Sequence, residues 1–146
     1  MTVASLDGPE ALEALYRART ERIFHRRDVE AIDRFYHPDC EDHTLPPGFP
    51  RTRGGMKAFY RQVFHAFPDC RVTLEDLLVD GDRMAARWTF RATHRAGFLG
   101  LPATGARVEV TGCELDRVRA GRIVEVRGAG DLLALLHQIA PLEAVG

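Results

Sequence analysis

The sequence predicts an α+β domain in which N-terminal helices pack on one face of a strongly curved antiparallel sheet and close it into a cone. Three observations carry this. Apolar residues recur at helical spacing over the first 66 residues, the spacing changes to alternation from Arg71 onward, and a short apolar run near the end reads as a closing helix. With 146 residues, 45% apolar and 28% charged, the chain fits one domain over 1–146, its core spanning about residues 10–140. An antiparallel sheet usually buries one face, so twist and helices on that face leave a pocket suited to an apolar small molecule.

The first helix is expected from Pro9, capped by Asp7 or Gly8, with Leu12, Leu15, Tyr16, Ile23 and Phe24 as its stripe. Asp28 reads as a second N-cap ahead of Val29, Ile32, Phe35 and Tyr36, and His37-Pro38-Asp39 ends that helix. Residues 40–55, rich in Pro and Gly, read as an ordered loop. A third helix from Gly55 to Ala66 presents Met56, Phe59, Tyr60, Val63 and Phe64, and Pro68 stops it. Strands follow at Arg71–Val79, Arg83–His94, Arg107–Val118 and Arg122–Arg127, with turns at Gly81-Asp82 and Ala120-Gly121 and a loop at 95–106. Asp131–Ile139 is the last helix.

Composition narrows the function. A formal net charge of −1 and a pI near 6.6 supply no basic surface for nucleic acid or an anionic membrane. No apolar run approaches the length of a membrane span, and the N-terminus lacks a basic segment followed by an apolar one, so a cytoplasmic protein is expected. Cys40, Cys70 and Cys113 show no paired spacing and read as reduced thiols. Lys57 is the one lysine, and Arg17, Arg19 and Arg22, interspersed with Glu, read as a solvated helix face.

The candidate chemistry lies in a few side chains. Met84, Ala86, Trp88, Phe90, Ala92 and His94 share one strand face, which points His94 at the core or the pocket. Glu125, Arg127 and Asp131 fall on odd positions and share a face if the segment is extended; either that face is surface or it is a polar pocket wall. Asp131 also stands where an N-cap belongs, just before Leu132-Leu133-Ala134-Leu135-Leu136. His43, in Glu41-Asp42-His43, has no second His or Cys at ligand spacing, so no metal is expected. No nucleophile elbow, phosphate-binding glycine loop or zincin helix appears.

Ala66-Phe67-Pro68-Asp69, Asp80-Gly81-Asp82-Arg83, the Thr93–Gly105 stretch with its T-H-x-x-x-F-x-G-x-P-x-T-G pattern, and Gly121-Arg122-Ile123-Val124-Glu125 through Asp131 resemble the SnoaL-like polyketide cyclases of the NTF2-like superfamily. The resemblance covers roughly residues 10–140 and implies a cone that pairs into a homodimer or higher homo-oligomer. It implies cofactor-independent, intramolecular aldol closure of an aromatic polyketide or similar polycycle. Asp131 would be the acid–base group and His94 its catalytic companion. His43, Trp88, Phe59, Phe90, Glu125 and Arg127 would bind substrate. Many relatives carry Trp where this chain has Arg127, a departure that alters the expected pocket wall. A hydroxylase or isomerase on the same fold, or a non-catalytic small-molecule-binding module, stays open beside the cyclase.

Overall fold

The structure, a computed structural model, describes residues 8–140. Pro9 opens α1 (Pro9–Arg19), with Gly8 as its N-cap; Asp7, the alternative cap, lies outside the described residues. The helix widens into a π-helical turn over Thr20–His25. Its inward stripe is Leu12, Tyr16, Arg19 and Ile23, so the guanidinium of Arg19 takes an apolar place. The Asp28 side chain accepts from Ala31 N and caps a 3-10 turn that runs into the short α2 (Ile32–Phe35).

Tyr36–Asp42, read from sequence as a helix end followed by a loop, forms strand β1. Pro38 is tolerated because β1 lies at the sheet edge, where one side of the strand needs no partner. The 14-residue α3 (Arg53–Ala66) follows, capped by Thr52, whose hydroxyl accepts from Gly55 N. It buries Met56, Val63 and Phe64 against the sheet, each contributing about 1.5–3 kcal/mol.

Strands β2 (Arg71–Asp80), β3 (Arg83–Thr93), β4 (Arg107–Arg119) and β5 (Arg122–Gly130) are antiparallel neighbours. The sheet order is β1-β5-β4-β3-β2. Strand β1 joins β5 in parallel, so the sheet is mixed where an antiparallel one was expected. The last helix, α4 (Leu132–Ile139), lies along β4 beyond the end of β5. Gln138 acts there as a strand partner: its Oε1 accepts from Glu109 N at 2.7 Å and its Nε2 donates to Glu109 O at 2.9 Å.

The motifs behind the family resemblance fasten one end of the cone. Thr93 N and Oγ1 donate to the Asp69 carboxylate at 2.8 and 2.7 Å. Although burial opposes the Asp69 charge, these two bonds hold its carboxyl below the usual carboxylate range. Arg95 N donates to Ala66 O, while Thr104 Oγ1 accepts from Ala106 N and meets His94 Nδ1 at 3.0 Å. Phe67 packs edge-on to Phe90 and Phe98 and stacks on His94 at 5.4 Å, and Phe59 reaches Phe98 and Phe49.

Candidate active site

Cross-strand register defines the inner face of the sheet. Val108, Val110, Gly112, Glu114 and Asp116 of β4 pair with Ala92, Phe90, Trp88, Ala86 and Met84 of β3, and register partners project to one side. The helices lie on that side, because Tyr16 and Arg19 of α1 reach Glu114. On β5 and β1 the same row continues through Val126 to Asp42.

This face carries a buried polar cluster. Asp116 is 0% exposed, Asp42 1% and Arg19 4%. Tyr16 donates to Glu114 Oε1, and Arg19 Nη2 donates to the same oxygen at 2.9 Å. Asp42 Oδ1 accepts from Thr44 N at 2.9 Å and from Thr44 Oγ1 at 2.6 Å. What remains is unusual for a dry interior: among the described residues Oδ2 of Asp42 and Nε of Arg19 have no partner, and the Asp116 carboxyl meets only that of Glu114.

The electrostatics follow from that geometry. Burial pushes the Asp116 carboxyl well above its ordinary range, and the neighbouring Glu114 charge adds to the rise while Arg19 opposes it. Burial raises Asp42 too, against the pull of its two bonds from Thr44. Burial works against the Arg19 charge, but the Glu114 carboxylate at 2.9 Å favours it, and a guanidinium stays charged in a protein. Burial also raises the phenols of Tyr16, Tyr36 and Tyr60. All three are therefore neutral O–H donors around neutral pH.

Beside the cluster lies Trp88. A Cβ added to Gly112 would stand 2.2 Å from its ring, and one added to Gly130 would stand 3.2 Å away. Glycine at these two places lets the indole lie against the backbones of β4 and β5, a platform one register step from Glu114. Of the two glycines at the end of β5, Gly130 is accounted for by the seating of Trp88, and Gly128 by its close approach to the backbone of Cys113 and Glu114.

The residues expected at the site divide. Trp88 and Phe90 are on the inner face, and Phe59 packs from α3 against Phe98. His94 is fully buried, with its Nδ1 at Thr104 and its Nε2 without a partner. Glu125 and Arg127 do share a face, but it is the outer one: Glu125 pairs in register with Arg117 and Glu41, and Arg127 with Leu115. Their side chains pair with each other at 3.3 Å, where they line no interior. The expectation that Asp131 reaches into a cavity is not met either. It is exposed, and its Oδ1 accepts from Ala134 N at 3.0 Å as the N-cap of α4. His43 shares a side with Glu41 and accepts from Arg51 Nη1 at 3.0 Å, while the adjacent Asp42 turns inward. Arg19, expected on a solvated face, is the buried cation of the cluster.

Sequence reasoning passed over Glu114, Asp116, Asp42 and Arg19, and all but Asp42 carried a signal. Glu114 and Asp116 fall in the apolar phase of β4 with Val108, Val110 and Val118, and Arg19 falls in the apolar phase of α1. A charge in the buried phase of an element is the informative exception.

A family model described as SnoaL-like polyketide cyclase matches residues 14–139. Among solved structures, TsrD from Streptomyces laurentii superposes with a TM-score of 0.84 at 27% identity, covering 92% of this chain and 98% of that one. IdmH from Streptomyces antibioticus, described as a candidate polyketide cyclase, is 32% identical with a TM-score of 0.76, covering 88% and 98%. AclR from Streptomyces galilaeus, described as a candidate hydroxylase, is 25% identical with a TM-score of 0.79, covering 90% and 97%. None of the curated proteins matches the chain.

Proposed function

Because the chain belongs to the SnoaL-like polyketide cyclase family, we propose that it closes a carbocycle in a polyketide-type substrate by intramolecular aldol addition, with Asp116 moving the proton. The observation that carries this is the Asp116 carboxyl itself, fully buried and hydrogen-bonded only to the neighbouring Glu114, which Tyr16 and Arg19 hold in turn. A carboxyl whose pKa is lifted by burial is a stronger base once ionised and a competent acid near neutral pH. In the proposed cycle, Asp116 removes the proton from a carbon flanked by two carbonyls, and the enolate oxygen is met by the neutral phenol of Tyr60 or by Arg19 Nε. The carbanionic carbon adds to a third, more distant carbonyl of the same chain. Asp116 returns the proton to the new alkoxide, so substrate and product have equal mass. Trp88 supports the planar part of the substrate, and His94, through its unpartnered Nε2, is a second donor.

The test is incubation with polycyclic β-keto esters bearing a pendant ketone, followed by mass spectrometry. Ring closure without change of mass, lost in Asp116→Asn, is the expected result; a wild-type rate in that variant overturns the assignment. A second reading, hydroxylation, is favoured by the likeness to AclR and predicts a product that has gained one oxygen atom. We further propose that two copies pair through the outer sheet face, where Leu78 is 70% and Leu115 42% exposed. Light scattering should then give twice the 16.3 kDa chain mass. The free thiols of Cys40, Cys70 and Cys113 fit a reducing compartment such as the cytoplasm.

A further inference from the structure

Among the described residues the inner-face cluster holds three carboxyl groups, Asp42, Glu114 and Asp116, and one guanidinium, Arg19. The lone cation is committed, since Glu114 takes its Nη2 at 2.9 Å and balances its charge. Asp42 and Asp116 sit in one transverse row with Val126 between them, so their Cα atoms are roughly 10 Å apart across two strand spacings. Asp42 Oδ2 is buried and unpartnered among the described residues, and the Asp116 carboxyl meets only the Glu114 carboxyl. An oxygen left over in this way is an acceptor without a donor.

From this we infer that the site selects its ligand by charge: it takes groups that donate O–H or N–H hydrogen bonds, an ammonium best of all, and it rejects carboxylates. The physical reason is a count of charge in a dry interior. One guanidinium neutralises one carboxylate, so an entering carboxylate must carry in a proton or leave an unpaired negative charge buried. An ammonium does the reverse, since it ionises a neighbouring carboxyl and pairs with it. The free N–H of Arg19 Nε does not alter the count, because its charge already belongs to Glu114. A hydroxyl needs no charge adjustment and meets Asp42 Oδ2 or an Asp116 oxygen directly.

This inference rests on the same cluster as the ring-closure proposal but is read by binding, not turnover, so the two fail separately. Three probes with one ring system isolate the variable: 2-naphthalenemethanol, 2-naphthylmethylamine and 2-naphthoic acid. Calorimetry near neutral pH should show the amine and the alcohol binding at least about tenfold more tightly than the acid. In the Asp42→Asn, Asp116→Asn double variant, both side chains offer N–H donors, and the preference should shrink or invert. Circular dichroism checks that the variant is folded; where it is not, the wild-type series decides alone. Wild-type protein binding the acid as tightly as the alcohol or amine overturns the inference, and so does binding of none of the three.

Discussion

Two acidic stretches lie on neighbouring parts of the sheet, and both place ionisable groups at alternate positions. On β4, Glu114 and Asp116 face the helices: Glu114 is held by Tyr16 and Arg19, and Asp116 is fully buried with Glu114 as its one partner among the described residues. From β5 into α4, Glu125, Arg127 and Asp131 face outward, pair with each other or cap a helix, and are satisfied. Alternation shows that residues share a face; which face it is depends on the phase of the apolar residues around them. On β4 the acids replace valine in the buried phase. On β5 the buried phase belongs to Val124 and Val126, so Glu125 and Arg127 take the other. The two stretches also differ in what they cost: satisfied surface groups are cheap, whereas a buried carboxyl is kept against its desolvation.

Substitutions can break this comparison, and the largest effect is expected on turnover. Asp116→Asn should keep the fold and lower ring closure at least about a hundredfold, and Asp131→Asn should leave it unchanged. Equal losses in both variants would erase the distinction between the stretches. Next in size is the seat of Trp88. Gly112→Ala places a methyl into the indole and should cost about 1–3 kcal/mol in denaturant unfolding, with weakened ligand binding.

Titration sharpens the contrast further. The folded state raises the pKa of Asp116 and Asp42, so it binds their protons more tightly than the unfolded chain does. The stability this contributes is present below the ordinary carboxylate range and is lost as pH rises through the raised values. The melting temperature of Asp116→Asn relative to wild type should therefore climb as pH rises above the ordinary carboxylate range. A flat difference would mean that Asp116 is ionised in the folded state at no cost.

Smaller effects are expected from the outer stretch. Asp131→Ala removes a cap and should cost about 1 kcal/mol, and Asp131→Asn only a few tenths. Arg127→Ala breaks an ion pair whose arginine side chain is 56% exposed and should change stability by no more than about 0.5 kcal/mol. A large loss of activity in Arg127→Ala would restore that residue to the site.

The sequence by itself determined the helices, the four antiparallel strands and the closing helix, because apolar periodicity is local and each period belongs to one kind of backbone. It offered the cap at Asp131, a local arrangement of one side chain and the next backbone N–H groups, beside an acid–base role implied by the family resemblance, and left the two open. Strand β1 was not legible: Tyr36–Asp42 holds a proline and six titratable side chains, and only its parallel pairing with β5 makes it a strand. The tertiary structure alone decided the site. Asp42, Glu114, Asp116 and Arg19 come from three distant elements, and nothing local says that they meet. The face each turns inward is set by the packing of α1 on β4 and by the register that carries Asp42 through Val126 to Asp116.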